Sequence, residues 1–319
     1  YEYSVLGVSR MVFHGQPIYS KELATGYPFL HTFYPPVFFY TASAAFRIFG
    51  DGYTAGRVIS VISALLTALL IFDITRRRTG SPLAGMVSAG VLLCFRPIFY
   101  WSVFNRVDTL GLMFMAAGLW CYFSFEQHRF RYLACVPFFL LGLFTKQTFV
   151  APVFALCLSL LFSKPAKSIA IGSLVLASGA LLFALINRAT SGGFFLHLVE
   201  IPHFQTIASF AQIRIKYFMS EGLVVLCMGF ALYKALSGGL LKFEFIYFLT
   251  AVAMGFLTVG HPGADLNYFY DACLAMALAA GGAYADFEKT PKAAVLLSAV
   301  LAVAILWSAA FKLENVRHA

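Results

Sequence analysis

Charge is what this sequence lacks most. Of its 319 residues, 12% are charged and 61% are hydrophobic, against about 25% charged in a soluble domain. Apolar runs recur along the whole length, which excludes an ordinary soluble protein and leaves a chain whose residues face lipid or one another. The short alternating segments of a membrane β-barrel are absent too, since the runs are continuous. The six cysteines (94, 121, 135, 157, 227 and 273) all fall in apolar runs. None is spaced as a metal motif, and they read as small buried hydrophobes. No glycine-rich nucleotide loop is present, and no internal repeat stands out. The net charge of +9 is spread over the loops that flank apolar runs, so it does not imply nucleic acid.

What remains is a series of membrane spans. Ten are expected, near 54–74, 80–95, 109–125, 130–145, 148–163, 168–186, 219–236, 243–259, 268–285 and 292–310. Residues 130–145 and 148–163 can alternatively form one broken hairpin. Alternate connections carry Arg76, Arg77 and Arg78; Arg129 and Arg131; Lys164 and Lys167; Lys234 and Lys242; and Lys289 and Lys292. By the positive-inside rule these are cytoplasmic. The opposite connections, 96–108, 145–147, 187–218 and 260–267, then lie on the outer face. Residues 1–53 form a first outer loop with amphipathic, interfacial helices, rich in Tyr, Phe and Pro as befits the membrane–water boundary. On this orientation Tyr1 starts outside, and an upstream span that brings it there is expected.

The scarce polar residues on the outer side need explaining, because an ionisable group beside apolar membrane surface is costly and its default reading is functional. The stretch FNRVDTLG places Arg106 and Asp108 between two apolar runs. If helical, residues two apart do not share a face, which argues against a simple intrahelical pair. The bland alternative is a solvated pair at a helix start, with Asp108 at the favourable N-terminal dipole. GLFTKQTFVAP is a polar knot holding Lys146 and Gln147. A lysine there meets a phosphate as a mobile point charge, or merely snorkels to water. GHPGADLNYFYDACLAM holds His261, Asp265, Asn267, Tyr268, Tyr270 and Asp271; its glycines and proline predict a turn over 260–264. Asp265 suits an N-cap there, and Asn267 and Tyr268 suit contact with a headgroup or sugar. Glu2, on the first amphipathic helix, offers a carboxylate that can accept a proton from an attacking hydroxyl; its bland reading is a solvated glutamate. In the 187–218 connection Glu200, His203, Arg214 and Lys216 are weaker candidates.

These residues carry a resemblance. The chain resembles the polytopic glycosyltransferases of the GT-C class, which use a polyprenyl-phosphate sugar as donor. It is most similar to the bacterial branch related to the protein mannosyltransferases and the lipid A sugar transferases. YEYSVLGVSRMVFHGQPIY looks like the opening of that family's first outer loop. YPP at 34–36, followed by FFYTASAAFRIFG, and then GRVISVISALLTALLIFDITRR follow in the family's order. NRVD, FTKQT and ADLNYFYD occupy positions of similar polar clusters. The resemblance implies an all-α polytopic membrane protein: a GT-C-type helix bundle with outer loops and short interfacial helices. Residues 1–319 would be one integral membrane domain, with spans in 54–186 and 219–310 and an outer loop at 187–218. It implies a multi-pass enzyme of the cytoplasmic (inner) membrane, its active site facing the periplasm or exterior.

The implied reaction transfers a sugar from a polyprenyl-phosphate donor to a hydroxyl of a lipid, glycan or protein acceptor, with inversion. The implied base is Glu2. Arg106 and Lys146 would bind the donor phosphate. Asp108 would orient the arginine or contact the sugar or a metal. Gln147, His261, Asn267 and Tyr268 would line the donor pocket. Metal dependence stays open, since Glu2 and Asp108 can share a divalent ion but no spacing requires it. Two other readings compete. A lipid or solute transporter would place ionisable groups near the bilayer midplane in broken helices. A non-catalytic GT-C-like protein would keep the bundle and lose the base.

Overall fold

The computed structural model describes residues 2–26, 31–125, 131–201, 207–238, 242–261 and 264–317. Arg129 and His203, both considered above, lie outside them. The described elements are helical: α1 (Glu2–Phe13), α2 (Lys21–Thr25), α3 (Val37–Phe49), α4 (Tyr53–Thr79), α5 (Pro82–Cys94), α6 (Arg96–Trp101), α7 (Asp108–Ser124), α8 (Arg131–Leu143), α9 (Ala151–Leu161), α10 (Pro165–Ala189), α11 (Gly193–Phe195), α12 (Ala208–Met219), α13 (Gly222–Gly238), α14 (Phe243–Thr258), α15 (Tyr270–Phe287) and α16 (Pro291–Arg317). A π turn, Leu196–Glu200, follows α11, and a 3-10 turn, Leu266–Phe269, precedes α15.

Each of the ten expected spans coincides with a helix, but their lengths differ. Among the described residues only α4 and α10 are by themselves long and apolar enough to cross a membrane, and α12 and α13 satisfy the same test only as a pair bent by 83°. The expected span at 80–95 continues past its end as α6. Phe95 turns extended (φ −61°, ψ 129°) and Pro97 occupies the first turn of α6, where proline's missing N–H costs nothing. Residues 130–145 and 148–163 are two helices, α8 and α9, joined by 144–150. Lys146 lies in that joint.

The helix α15 is the centre of the bundle. Every residue from Tyr270 to Tyr284 is buried, and α15 packs against α5, α13 and α14. Its sequence, YDACLAMALAAGGAYADF, explains why. Apolar side chains gain nothing by leaving lipid for a protein core, so membrane helices associate through close van der Waals contact at small residues. A Cβ on Gly281 would stand 2.0 Å from Ser88 Oγ and 2.6 Å from the Ala84 carbonyl. That gap, filled by neither atom, lets α5 lie directly on α15. The α4–α5 hairpin turns at Gly80 (φ 77°) and is capped by Ser81, whose Oγ accepts from the Ala84 N–H at 3.0 Å. Thr75 and Ser88 hydroxyls bond across it at 2.8 Å. On the other flank α7 packs against α4 and α8.

At the end of the bundle where α4 begins, α1 and α3 pack together and onto α4, burying Val5, Val8, Phe38 and Phe39. These are the amphipathic helices expected in residues 1–53. At the other end of α4, Asp73 pairs with Arg76 at 2.6 Å and accepts from the Trp120 indole at 2.8 Å, and Arg78 meets Glu244 at 2.8 Å. The basic cluster thus stands a full helix length from Glu2, as the charge bias required.

Candidate functional site

The outer end of α4 frames the site. Gly56, Arg57 and Ser60 lie within its first two turns, and the 104–107 connection rests on them. A Cβ on Gly56 would fall 1.7 Å from Asn105 Oδ1 and 3.1 Å from its Cβ, so any larger residue would displace the Asn105 side chain. Ser60 Oγ donates to the Arg106 carbonyl at 3.2 Å. The connection is held on both sides of Arg106 before its side chain is considered.

Arg106 and Asp108 do pair, though not within a helix, since α7 begins at Asp108. Arg106 lies in the connection that precedes α7, and its Nε donates to Asp108 Oδ2 at 2.8 Å. Two further donors converge on the other oxygen. Lys146 Nζ reaches Oδ1 at 2.6 Å and Asn267 Nδ2 at 2.7 Å. All four side chains are buried, with Lys146 1% exposed and Asn267 0%. The Lys146 ammonium also lies 4.3 Å from the Tyr268 ring centroid, and the Arg106 guanidinium 4.7 Å from that of Trp101. Aromatic faces attract a cation most when it is desolvated. Burial pushes the Lys146 ammonium below its ordinary pKa, with Asp108 opposing. Burial also works against the charge of Arg106, but Asp108 more than offsets it and raises the pKa. Arg106 and Lys146 thus set two cationic side chains around the one Asp108 carboxylate, with Asp271 also acting on Lys146.

Three loops that the sequence placed on one side therefore meet at one carboxylate. The 3-10 turn makes this possible on the 266–270 side. Asp265 caps it, its Oδ1 accepting from the Leu266 N–H at 2.7 Å, which is the N-cap role expected. In a 3-10 turn residues i and i+3 eclipse, so Tyr270 shares the face of Asn267. Its hydroxyl is buried with no hydrogen-bond partner among the described residues. Asp271, the next residue, accepts from the Tyr247 hydroxyl at 3.1 Å and also acts electrostatically on Lys146.

Glu2 joins from α1. Its Oε1 accepts from the Asn105 backbone N–H at 2.6 Å, and Arg57 clamps both oxygens, Nε to Oε1 at 3.0 Å and Nη2 to Oε2 at 2.7 Å. Burial raises the pKa of this carboxyl, but the Arg57 and Asn105 donors outweigh it and hold it below the ordinary glutamate range. Glu2 is thus one residue from Arg106 along the chain it grips. Gln147 turns to a different partner, its Nε2 donating to the Phe33 carbonyl at 2.9 Å. His261 lies in the turn after α14, its N–H bonded to Thr258 and its carbonyl to Ala264.

Sequence reasoning missed Arg57, Asn105 and Tyr270 as site residues. Arg57 had a usable signal, a lone arginine in the first turns of an apolar helix at its outer end. Asn105 acts through its backbone and had none. Among the described residues no group of three His, Cys, Asp or Glu side chains gathers as a metal site. Asp108 and Glu2, the two carboxylates considered for a shared ion, each already take three donors.

Comparison with known proteins agrees with this architecture. Residues 34–190 match the model of the dolichyl-phosphate-mannose-protein mannosyltransferase family. No curated protein matches the chain. The fold is similar to the crystal structure of ArnT from Cupriavidus metallidurans bound to undecaprenyl phosphate, with a TM-score of 0.66 and 16% identity over 88% of this chain. It is also similar to the apo state of that protein, with a TM-score of 0.59 and 18% identity over 89% of this chain. In both cases the match covers 54% of the ArnT chain. The all-α bundle with its apolar helices thus has the fold of the ArnT structures, and just under half of the chain, residues 34–190, matches the dolichyl-phosphate-mannose-protein mannosyltransferase family.

Proposed function

We propose that the protein transfers a sugar from a polyprenyl-phosphate donor to a hydroxyl of a cell-envelope acceptor at the outer face of the cytoplasmic membrane. The observation that carries this reading is the buried Arg106–Asp108–Lys146–Asn267 cluster, which brings an arginine and a lysine together and is linked through Asn105 to the Glu2 carboxylate. The undecaprenyl phosphate bound by the similar ArnT structure is a donor-type lipid of the chemistry that this cluster suits.

In the proposed reaction the acceptor oxygen attacks the anomeric carbon on the face opposite the phosphate, inverting the configuration. Its proton passes to Glu2. The bond from the anomeric carbon to the phosphate oxygen breaks, and its electron pair leaves with the polyprenyl phosphate. Arg106 and Lys146 meet the charge that develops on that oxygen. Fixed donors at such a position contribute about 10²–10³ each in rate, and a positioned base about 10²–10⁴. Asp108 orients the two cations and keeps them apart. From the 3-10 turn, Asn267 donates to Asp108 and the Tyr268 ring faces the lysine. No step is routed through a metal.

The test is transfer in native membranes or nanodiscs, with a panel of polyprenyl-phosphate sugars and the full-length protein. Incorporation from at least one donor, abolished in Glu2→Gln, supports the reading. A wild-type protein that transfers from none of the panel, or only from water-soluble nucleotide sugars, refutes it.

A further inference from the structure

The carboxylate of Glu2 is not symmetric in its surroundings. Each of its oxygens offers two in-plane acceptor sites. Oε1 uses both, one for Arg57 Nε and one for the Asn105 N–H; Oε2 uses one, for Arg57 Nη2. Among the described partners a single acceptor site is left, and it is on Oε2. Arg57 is held in turn, its guanidinium carbon 5.3 Å from the Tyr53 ring centroid. The clamp is therefore a defined orientation and not two long side chains meeting by chance at the rim.

We propose that Arg57 is the positioning residue of the base, directing the acceptor's proton to Oε2 of Glu2 alone. This rests on the reading of Glu2 as the base. The proton moves from the acceptor hydroxyl to Oε2 while the acceptor oxygen forms its bond to the anomeric carbon. The electron pair of the broken bond leaves on the phosphate, so atoms and charge balance. Arg57 touches neither the sugar nor the phosphate. It fixes the plane of the carboxylate, and its charge keeps Glu2 ionised between turnovers. The Asn105 N–H completes the arrangement and ties the base to the loop that carries Arg106. Movement of that loop on donor binding would therefore be felt at the base.

An ion pair this exposed (side chains 47% and 19%) contributes little to stability, so Arg57 variants are expected to fold. Arg57→Gln should lower kcat about 10–100-fold, within the range of a misplaced base, with the donor KM within about twofold. The acid limb of its pH–rate profile should move up toward the ordinary glutamate value of about 4.3. Arg57→Lys should restore most of the limb's position but not the rate, because an ammonium supplies charge without the bidentate fork. A second readout is independent of turnover. Carbodiimide labels protonated carboxyls, and the pH midpoint of Glu2 labelling, read by peptide mass spectrometry, should rise in Arg57→Gln. An unchanged midpoint overturns the proposal whatever the rates. So does an Arg57→Gln enzyme with wild-type kcat and pH profile while Glu2→Gln is dead, which leaves the base reading standing. A fully active Glu2→Gln overturns both.

Discussion

Replacing Asp108 by asparagine isolates the logic of the buried cluster. The amide keeps the shape of the carboxylate and can still accept from Asn267 Nδ2 at Oδ1. It loses the charge that faces Lys146 at 2.6 Å and Arg106 at 2.8 Å, and its NH2 group would point at the Arg106 donor. Two buried cations then lose that anion. Breaking a buried pair in this way costs about 3–5 kcal/mol. At the low end of the usual conversion, about 2 °C per kcal/mol for a large domain, the melting temperature in detergent should fall by roughly 6–10 °C. The double variant Asp108→Asn, Lys146→Met removes one of the stranded cations and should recover part of the loss. A coupling of about 1–3 kcal/mol is typical of groups in one network, or roughly 2–6 °C by the same conversion. The binding of an anionic lipid phosphate moves the other way. The single variant carries more positive charge, so undecaprenyl phosphate should raise its melting temperature more than that of the wild type. Scanning fluorimetry of the purified proteins reads all three. A single variant within about 1 °C of wild type, or a double variant no better than the single, would refute the view of Asp108 as the hub.

The remaining expectations are more local. Arg106→Ala and Lys146→Ala should each reduce donor use at least about 10²-fold in the transfer assay, and normal transfer by both would remove the phosphate site. Gly56→Ala should displace the Asn105 side chain, which its Cβ would overlap; transfer at wild-type rate by this variant would contradict the framing role of α4. His197 is buried with Nδ1 accepting from the Thr32 N–H at 3.1 Å and Nε2 on the Ser20 carbonyl at 2.9 Å, and burial lowers its pKa. A histidine with a lowered folded pKa costs stability once pH falls below its unfolded value of about 6.5. Protease nicking within 20–34 should therefore increase below that pH in the wild type, and His197→Gln should flatten the dependence.

Much of this was legible in the sequence. The apolar runs located the helices because nothing else in so uncharged a chain can satisfy its backbone in lipid. The lysine and arginine bias placed Glu2, Arg106, Lys146 and Asn267 on one side, and the fold brings those residues or their immediate neighbours together. The pairing of Arg106 with Asp108 was not legible, since it depends on α7 starting at Asp108 and not earlier. Periodicity locates a helix start only to within a few residues. Gln147 and His261 look polar and exposed to a reader of sequence, but loop geometry gives them other partners, and loops carry no periodic signal. Arg57 was visible and unread, masked by the apolar run it opens. Asn105 contributes a backbone N–H, which every residue but proline has, so no sequence pattern could single it out.

The central claim, that a lipid phosphate seats on Arg106 and Lys146, is tested most directly by cross-linking. Undecaprenyl phosphate bearing a diazirine next to its phosphate would be photolysed with the full-length protein in nanodiscs, and the adducts mapped by peptide mass spectrometry. The account predicts adducts in Trp101–Asp108, Thr145–Phe149 and Leu266–Tyr270, competed by unlabelled undecaprenyl phosphate and lost in Arg106→Ala. Adducts confined to the lipid-facing helix α10, or unchanged in Arg106→Ala, would contradict it.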